Sequence, residues 1–484
     1  MNYIGLDIGT TGAKTLLVNE KGNVLGKGYA GYRLITNGNC IEQRADDWTK
    51  CSASAIQRAI KGQDISRIAA ISLSTQGAST VAIDAQNRPI GNALTWMDGR
   101  AVSEASEIAD QIGEDYIYRN TGWRINSSLD AAKIMYMKRA KAYQNAIRFL
   151  STLEYMNLFL TGNPVCDQSN ASIRQLYNIN THDYDDTILK IVDVTRDELP
   201  EVIPTGEIVG YISQSAASVT GLKPGTPVYN GAHDQYCASI GAGAVEKGDM
   251  LLSAGTTWVV MGIDDKPLFT ETYIAPGVHP ISGLYGAIAS LVGSGASMQW
   301  FKNEFVDTDF VEIDKQAALR ADKVRELFFY PYLSGVGYPL WNPHIRGSLM
   351  GISLEHNKYD FARAIMEGVA FGVRRTIDDF SSNGCNAKVL RIMGGGAKSD
   401  LWCRIIASAA NIPIEISSEN EACAMGAAII AAAGSGEFSS ILEAVKTMTS
   451  ATRHELPDTK LVSDLDEKYT RYGRMWDKMT QLYV

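Results

Sequence analysis

A chain of 484 residues with a formal net charge of −9 is long enough for two or more domains, each with its own core. Its acidity argues against a nucleic-acid binder and against docking on anionic membranes, but not against a small anion that responds to local donors. No apolar run nears the ~20 residues a membrane helix needs. No basic segment with an apolar core precedes the first strand, so a cytoplasmic chain is expected. Seven cysteines and six histidines are scattered without a Cys-x-x-Cys pair, which points to buried free thiols rather than zinc.

The chain opens on the apolar run Tyr3-Ile4-Gly5-Leu6, which reads as a buried strand, and turns sharply at Asp7-Ile8-Gly9-Thr10-Thr11-Gly12-Ala13-Lys14. A second strand, Lys14 to Asn19, leads through Glu20-Lys21-Gly22-Asn23 to a third that begins at Val24-Leu25. Asp46-Asp47-Trp48 opens a helix running to about Ile60, with Asp46 as its cap. Ile68 to Ser74 is a buried strand ending at Thr75-Gln76-Gly77; Val81 to Asp84 is another, closed by the turn Asn87-Arg88-Pro89. From Ser103 to about Thr195 the pattern is mainly helical with polar loops. Composition changes at Lys223-Pro224-Gly225-Thr226-Pro227, and the strand Val228-Tyr229-Asn230 runs into Gly231-Ala232-His233-Asp234-Gln235. Gly241 and Gly243 end this half, so domains over 1–245 and 246–484 are expected.

The second half opens with Met250-Leu251-Leu252-Ser253-Ala254, then Gly255-Thr256-Thr257, then a strand from Trp258 to Ile263. Ala362 to about Phe380 is a long helix. Val389 to Met393 is a strand that meets Gly394-Gly395-Gly396-Ala397-Lys398 before a helix from about Ser399 to Ala410. Glu421 to about Ala433 is a helix of small residues, able to let another backbone or a planar ligand come close. The tail from Asp464 reads as one amphipathic helix. The only repeat is the coarse doubling of the halves.

That doubling carries the chemistry. A glycine-bearing turn leaves backbone N–H groups unpaired and its threonines add hydroxyls, so each Gly-Thr-Thr can wrap an anion. Ordinary hairpins remain the alternative, especially for the second turn. Neither is a P-loop, since Ala13 rather than glycine precedes Lys14 and a strand, not a helix, follows. Together they suggest two similar halves facing one polyphosphate. A carboxylate beside phosphate needs a bridging cation, so Asp7 is a candidate for Mg²⁺, or else a turn residue bonding local amides. Asp234, at a strand end near glycine, can serve as base for an attacking hydroxyl, with Gln235 to bond neighbouring hydroxyls; as a cap or turn residue it is equally familiar. His233 reads as a packing neighbour. The Gly394-Gly395-Gly396-Ala397 run lets backbone approach a ligand before a helix, but does not fit a dinucleotide fingerprint. In Trp96-Met97-Asp98-Gly99-Arg100, Trp96 could line a sugar pocket and Asp98 with Arg100 form a structural ion pair. These elements converge on nucleotide-dependent phosphoryl transfer, which asks for phosphate clamps, a metal and an aligned base.

The ordered set resembles the FGGY carbohydrate kinases, with the xylulose kinase branch the nearest. Asp7 to Lys14 resembles the first phosphate motif, Trp96 to Arg100 the Trp-x-Asp-Gly-Arg segment, and Gly231 to Gln235 the strand end with the catalytic aspartate. Ser253 to Thr257 resembles the second phosphate motif, Gly347 to Ile352 with Phe361 to Gly368 the family signature, and Met393 to Asp400 the adenosine motif. The resemblance implies an α/β, actin-like (ribonuclease H-like) fold of two domains, each a mixed five-stranded sheet flanked by helices, closing around ATP and sugar. It implies Asp234 as base, Mg²⁺ held by Asp7 and Asp234, and substrate contacts from Gln76, Gly77, Ala78, Trp96, Asp98 and Gln235. For the nucleotide it implies Thr10, Thr11, Lys14, Gly255, Thr256, Thr257, Gly293, Gly394, Gly395, Gly396 and Ala397. Two departures concern the sugar. Xylulose kinases have Met-His after the glutamine and glycerol kinases Arg-Glu, where this chain has Gly77 and Ala78; room for a bulkier acceptor is expected there. The usual Gly-Glu-Arg-x-Pro stands here as Gly335-Val336-Gly337-Tyr338-Pro339. The expectation is a kinase for a ketose such as xylulose, against a polyol or sugar-acid kinase, or an actin-like ATPase without sugar. The oligomeric state is left open between monomer and homodimer. A repressor is disfavoured because no helix-turn-helix precedes the first strand.

Overall fold

The computed structural model describes residues 1–417 and 419–483. Two mixed sheets dominate it, and they repeat one topology. In the first, Asn2–Ile8, Gly12–Asn19 and Val24–Gly31 form an antiparallel meander, while Ile68–Thr75 and then Pro227–His233 join in parallel on the other side of Asn2–Ile8. In the second, Asp249–Ala254, Trp258–Asp264 and Tyr285–Leu291 form the meander, and Val389–Met393 and Ile414–Ser417 join in parallel. This is the actin-like order. Each five-stranded core is extended at its edges by antiparallel strands: Ile208–Tyr211 makes the first sheet six-stranded, and Ala275–Val278 with Ala451–Glu455 makes the second seven-stranded.

The burial of the strands follows their place. Asn2–Ile8, central and covered on both faces, is buried throughout, whereas the edge strand Val24–Gly31 alternates between half-buried and exposed. The first core packs the sheet against the helix Ala45–Ala59 through Trp48 and Ile56. Arg44, not Asp46, holds the capping position of that helix; Asp46 and Asp47 sit in its first turn, where their charge still favours the helix dipole. The second core surrounds the helix Lys358–Ser382, whose start is closed by a capping box between Asn357 and Asp360. The stretch from Ser103 to about Thr195 is mainly helical, as expected, and includes Asp130–Arg139.

The small-residue helix, Ala422–Gly434, crosses from the second half to pack on the first sheet. A Cβ at Gly5 would lie 1.8 Å from the Ala424 carbonyl oxygen, and one at Gly426 1.9 Å from that of Cys237. Its small residues thus serve backbone-to-backbone packing that ties the halves together. Among the described residues no helix is long and apolar enough to cross a membrane.

Candidate active site

The segments singled out in the sequence gather at the carboxyl ends of the parallel strands, where open α/β sheets leave a crevice. Ile8 leads into the first turn, Thr75 into Gln76 and His233 into Asp234; in the second sheet Ala254 leads into the second turn and Met393 into Gly394. Asp7 is in register with Ser74, and Thr75 with His233. Asp7 and Asp234 therefore flank the end of one intervening strand, with roughly 10 Å between their strands.

Asp7 is buried and accepts a hydrogen bond from Ser74 Oγ at 2.8 Å. Burial, and then the charge of Asp234, push its carboxyl up to about 7. Burial pushes Asp234 up to about 6, against hydrogen bonds from Gln235 that pull it down. The Asp234 side chain keeps 24% of its surface exposed, so a ligand can reach it. His233 Nε2 faces Asp234 Oδ1 at 3.4 Å, and burial draws the imidazole down to about 4, which leaves it neutral. Two neighbouring carboxyls, both pushed up by burial and one of them also by the other's charge, suit a hard divalent cation that takes one or two acid ligands and completes its shell with water and phosphate. Asp7 and Asp234 are the residues that would hold it; among the described residues no group of three or more acid, His or Cys side chains offers a fuller cage.

Gln76 has a fixed orientation. The Trp48 indole N–H, which can only donate, bonds Gln43 Oε1 at 3.0 Å, and Gln76 Nε2 donates to the same oxygen at 2.6 Å. Gln43 Nε2 in turn donates to the Thr10 carbonyl at 2.6 Å. Gln76 Oε1 is left without a partner among the described residues, as are His233 Nδ1 and Gln235 Oε1. Trp96, 44% exposed, donates from Nε1 to Thr10 Oγ1 at 3.1 Å, so the first Gly-Thr-Thr turn and the segments of Gln76 and Trp96 form one hydrogen-bonded unit.

Several expectations change here. The room expected at Gly77 and Ala78 is not open: a Cβ at Gly77 would lie 2.5 Å from the His233 ring, and Ala78 is fully buried. The space that a side chain at Gly77 would take is filled by His233, arriving from the neighbouring strand. Asp98 is fully buried, with its carboxylate held by the Arg100 guanidinium at 2.8 Å and the Ile41 N–H at 2.7 Å. It shapes the Trp96 segment and presents no surface to a sugar. Lys14, opposite Asp7 in register, pairs with Glu421 at 2.6 Å.

The segments expected on the nucleotide side are built from backbone. Gly255, Thr256 and Thr11 are exposed, and Thr10 and Thr257 half-buried. The Ala296 N–H bonds the Thr256 carbonyl at 3.0 Å, tying the second turn to the helix Ser294–Phe305, which Gly293 opens with φ of +82°. Gly395 is exposed, while Gly396 lies over Trp258, where a Cβ would come within 2.7 Å of the ring. Ala397 is buried and its carbonyl accepts from Arg453 Nη2 at 2.9 Å, so it acts as support beneath the glycines.

Sequence reasoning passed over Gln43, Ser74, Glu421 and Lys133. Lys133 alone left a trace, a single cation within the apolar stretch Ala131-Ala132-Lys133-Ile134-Met135.

Comparison with known proteins agrees with this geometry. Residues 2–241 match the model of the FGGY family of carbohydrate kinases, N-terminal domain, and residues 250–435 that of its C-terminal domain. A gluconokinase of Bacillus subtilis (strain 168) is 29% identical over 475 residues, covering 94% of this chain and 91% of the relative. A xylulose kinase of the same organism is 29% identical over 496 residues, covering 100% and 97%. A crystal structure described as a xyloylose kinase from Brucella ovis superposes with a TM-score of 0.91 at 25% identity over 100% of both chains. A gluconate kinase from Lactobacillus acidophilus superposes equally well, at 0.91 and 24% identity over 98% of this chain and 97% of that one. With both family domains matched in order over a duplicated actin-like fold, the chain belongs to the FGGY family of carbohydrate kinases and is an ATP-dependent phosphotransferase with an alcohol group as acceptor.

Proposed function

We propose that this kinase phosphorylates a neutral ketose such as xylulose, with Asp234 as general base. One observation carries the choice of acceptor: the unpartnered polar atoms around Asp234 are hydrogen-bond acceptors. Gln76 Oε1 and Gln235 Oε1 are carbonyl oxygens. Buried acceptors that find no donor within the fold call for hydroxyl donors from a ligand or water. The cations near these acceptors are already engaged, Lys14 by Glu421, Arg100 by Asp98 and Glu42, and Lys133 by buried carbonyls. A sugar acid would bring a carboxylate to Asp7, Asp234 and two acceptor oxygens without a free counter-ion among the described residues around them, a costly desolvation.

In the reaction the N–H groups and hydroxyls of the two Gly-Thr-Thr turns hold the polyphosphate from either side. The sugar hydroxyl oxygen forms a bond to the γ-phosphorus as the bond to ADP breaks, and its proton passes to an Asp234 carboxylate oxygen. A base near pH 6 is ionised at neutral pH yet basic enough to take that proton. Mg²⁺, when bound, supplies positive charge to the phosphate oxygens; Asp7 and Asp234 would hold it. His233 stays neutral beside Asp234.

The test is ADP release with D-xylulose, D-gluconate and glycerol at saturating MgATP. The expected result is a kcat/KM for xylulose at least about tenfold above that for gluconate, a difference of about 1.4 kcal/mol. Gluconate as the preferred acceptor would overturn the reading.

A further inference from the structure

We propose that Lys133 is a positioning residue for the acceptor half of the site, clamping the turn after Gln76 to the segment before Trp96. The inference rests on the reading above that these two segments face the sugar. Lys133 projects from the helix Asp130–Arg139 and is fully buried. Its ammonium donates to the Ala78 carbonyl, and to the carbonyls of Leu94 and Thr95 at 3.2 Å each. These are three main-chain oxygens from the two segments that also supply Gln76 and Trp96. The Thr80 and Leu94 amides exchange hydrogen bonds across the same junction, at 2.8 and 2.9 Å.

Ala78 shows why a clamp is required. Its φ is +48°, in the left-handed region that a residue with a Cβ occupies only when its surroundings hold it there. The residue follows Gln76 and Gly77 directly, so relaxation at Ala78 would swing the Gln76 carbonyl and reopen the packing of Gly77 on His233. The held end of Lys133 is itself anchored. Asp130 Oδ1 lies 3.7 Å from Nζ, and Asp130 Oδ2 accepts from Arg174 Nε at 2.7 Å. Arg174 also donates to the Phe149 carbonyl at 2.8 Å and faces Glu154 at 3.5 Å, and all four charged side chains are fully buried. A buried ionic chain that ends on three carbonyls of the sugar-side loops fixes their spacing as a flexible loop could not.

A purely structural lysine would lower stability without singling out one substrate. The clamp predicts a split. In Lys133→Met, the KM for D-xylulose rises about tenfold, while the KM for ATP stays within about twofold. Ala78→Gly alone changes little, because glycine accepts the positive φ freely. In the double variant Lys133→Met/Ala78→Gly the sugar KM falls back part of the way, since the turn no longer resists its working conformation. Equal changes in both KM values, an unchanged sugar KM, or no recovery in the double variant would each overturn the clamp. If Lys133→Met does not fold, Lys133→Gln, whose amide keeps a shorter donor, carries the same test. If the wild-type enzyme does not turn over D-xylulose, the sugar assignment fails on its own. The clamp is then judged by hydrogen exchange of the substrate-free protein, where Lys133→Met must raise exchange over residues 77–80 and 94–96 but not over 255–257. Unchanged exchange at the first two segments would refute it.

Discussion

Two residues before the glycine of its turn, the first half of the chain carries Asp7 and the second Ser253. The neighbouring parallel strand puts Ser74 beside Asp7 but Met393 beside Ser253. Two residues further on, the first half presents Gln76 and the second Gly395. The backbones are the same meander with the same two parallel additions, yet the first sheet ends in buried, titratable side chains and the second in glycine. The difference teaches how a duplicated fold divides one reaction. Aligning a hydroxyl and removing its proton needs side chains of set position and proton affinity. Seating a nucleotide needs close approach and backbone donors, which side chains would obstruct.

The largest expected effect falls on the first half. Asp234→Asn keeps the shape but removes the base, and kcat should drop by about 10³ with ATP affinity nearly unchanged. The wild-type rate should rise with pH through about 6, where Asp234 loses its proton, rather than near the ordinary carboxylate value of 3.8. Single-turnover assays and nucleotide titration check both; wild-type-like turnover would remove Asp234 from its role.

Asp7→Asn should sharpen the contrast in the opposite direction. The folded-state value of Asp7 lies above its unfolded one, at about 7 against 3.8, so folding disfavours its charged form. That cost is full above pH 7 and fades as pH falls towards 3.8. The metal-free variant should therefore be more stable than wild type by about 1–3 kcal/mol at pH 8, less so at pH 5, and inactive. Thermal melts at the two pH values test this, with Ser253→Ala as the second-half counterpart showing no such pH dependence. A variant equally stable at both would deny Asp7 its buried charge.

The smallest effect concerns the second half. A Cβ at Gly295 would lie 1.9 Å from the Gly255 carbonyl oxygen, so Gly295→Ala must displace the second turn. The KM for ATP should rise about tenfold, worth about 1.4 kcal/mol, with the sugar KM within twofold. A larger effect on the sugar would break the division between the halves.

Local chemistry was legible where backbone pattern and residue type coincide. Asp7, Asp234 and both turns stand at strand ends because apolar runs stop there, and Val389–Met393 came out at its bounds because it is apolar between polar neighbours. The helix of small residues was read correctly as a surface for close approach, but only the fold shows that the approaching backbone is Gly5 and Cys237. The space at Gly77 was misread for the same reason. Whether a missing side chain leaves a hole depends on what comes from elsewhere, and His233 lies 156 positions along the chain on an adjacent strand.

The order of apolar strands, turn glycines and carboxylates, a one-dimensional pattern, was enough to point to a duplicated α/β fold and to nucleotide-dependent phosphoryl transfer. Tertiary structure alone decided which donors are spent and which stay free. It fixed the face of Gln76 through Trp48 and Gln43 and brought Lys133 beneath Ala78, whereas the pairing of Asp98 with Arg100 was already legible in the sequence. Hydrogen bonds between distant segments follow from strand order and packing, and neither is written in the neighbours of any one residue.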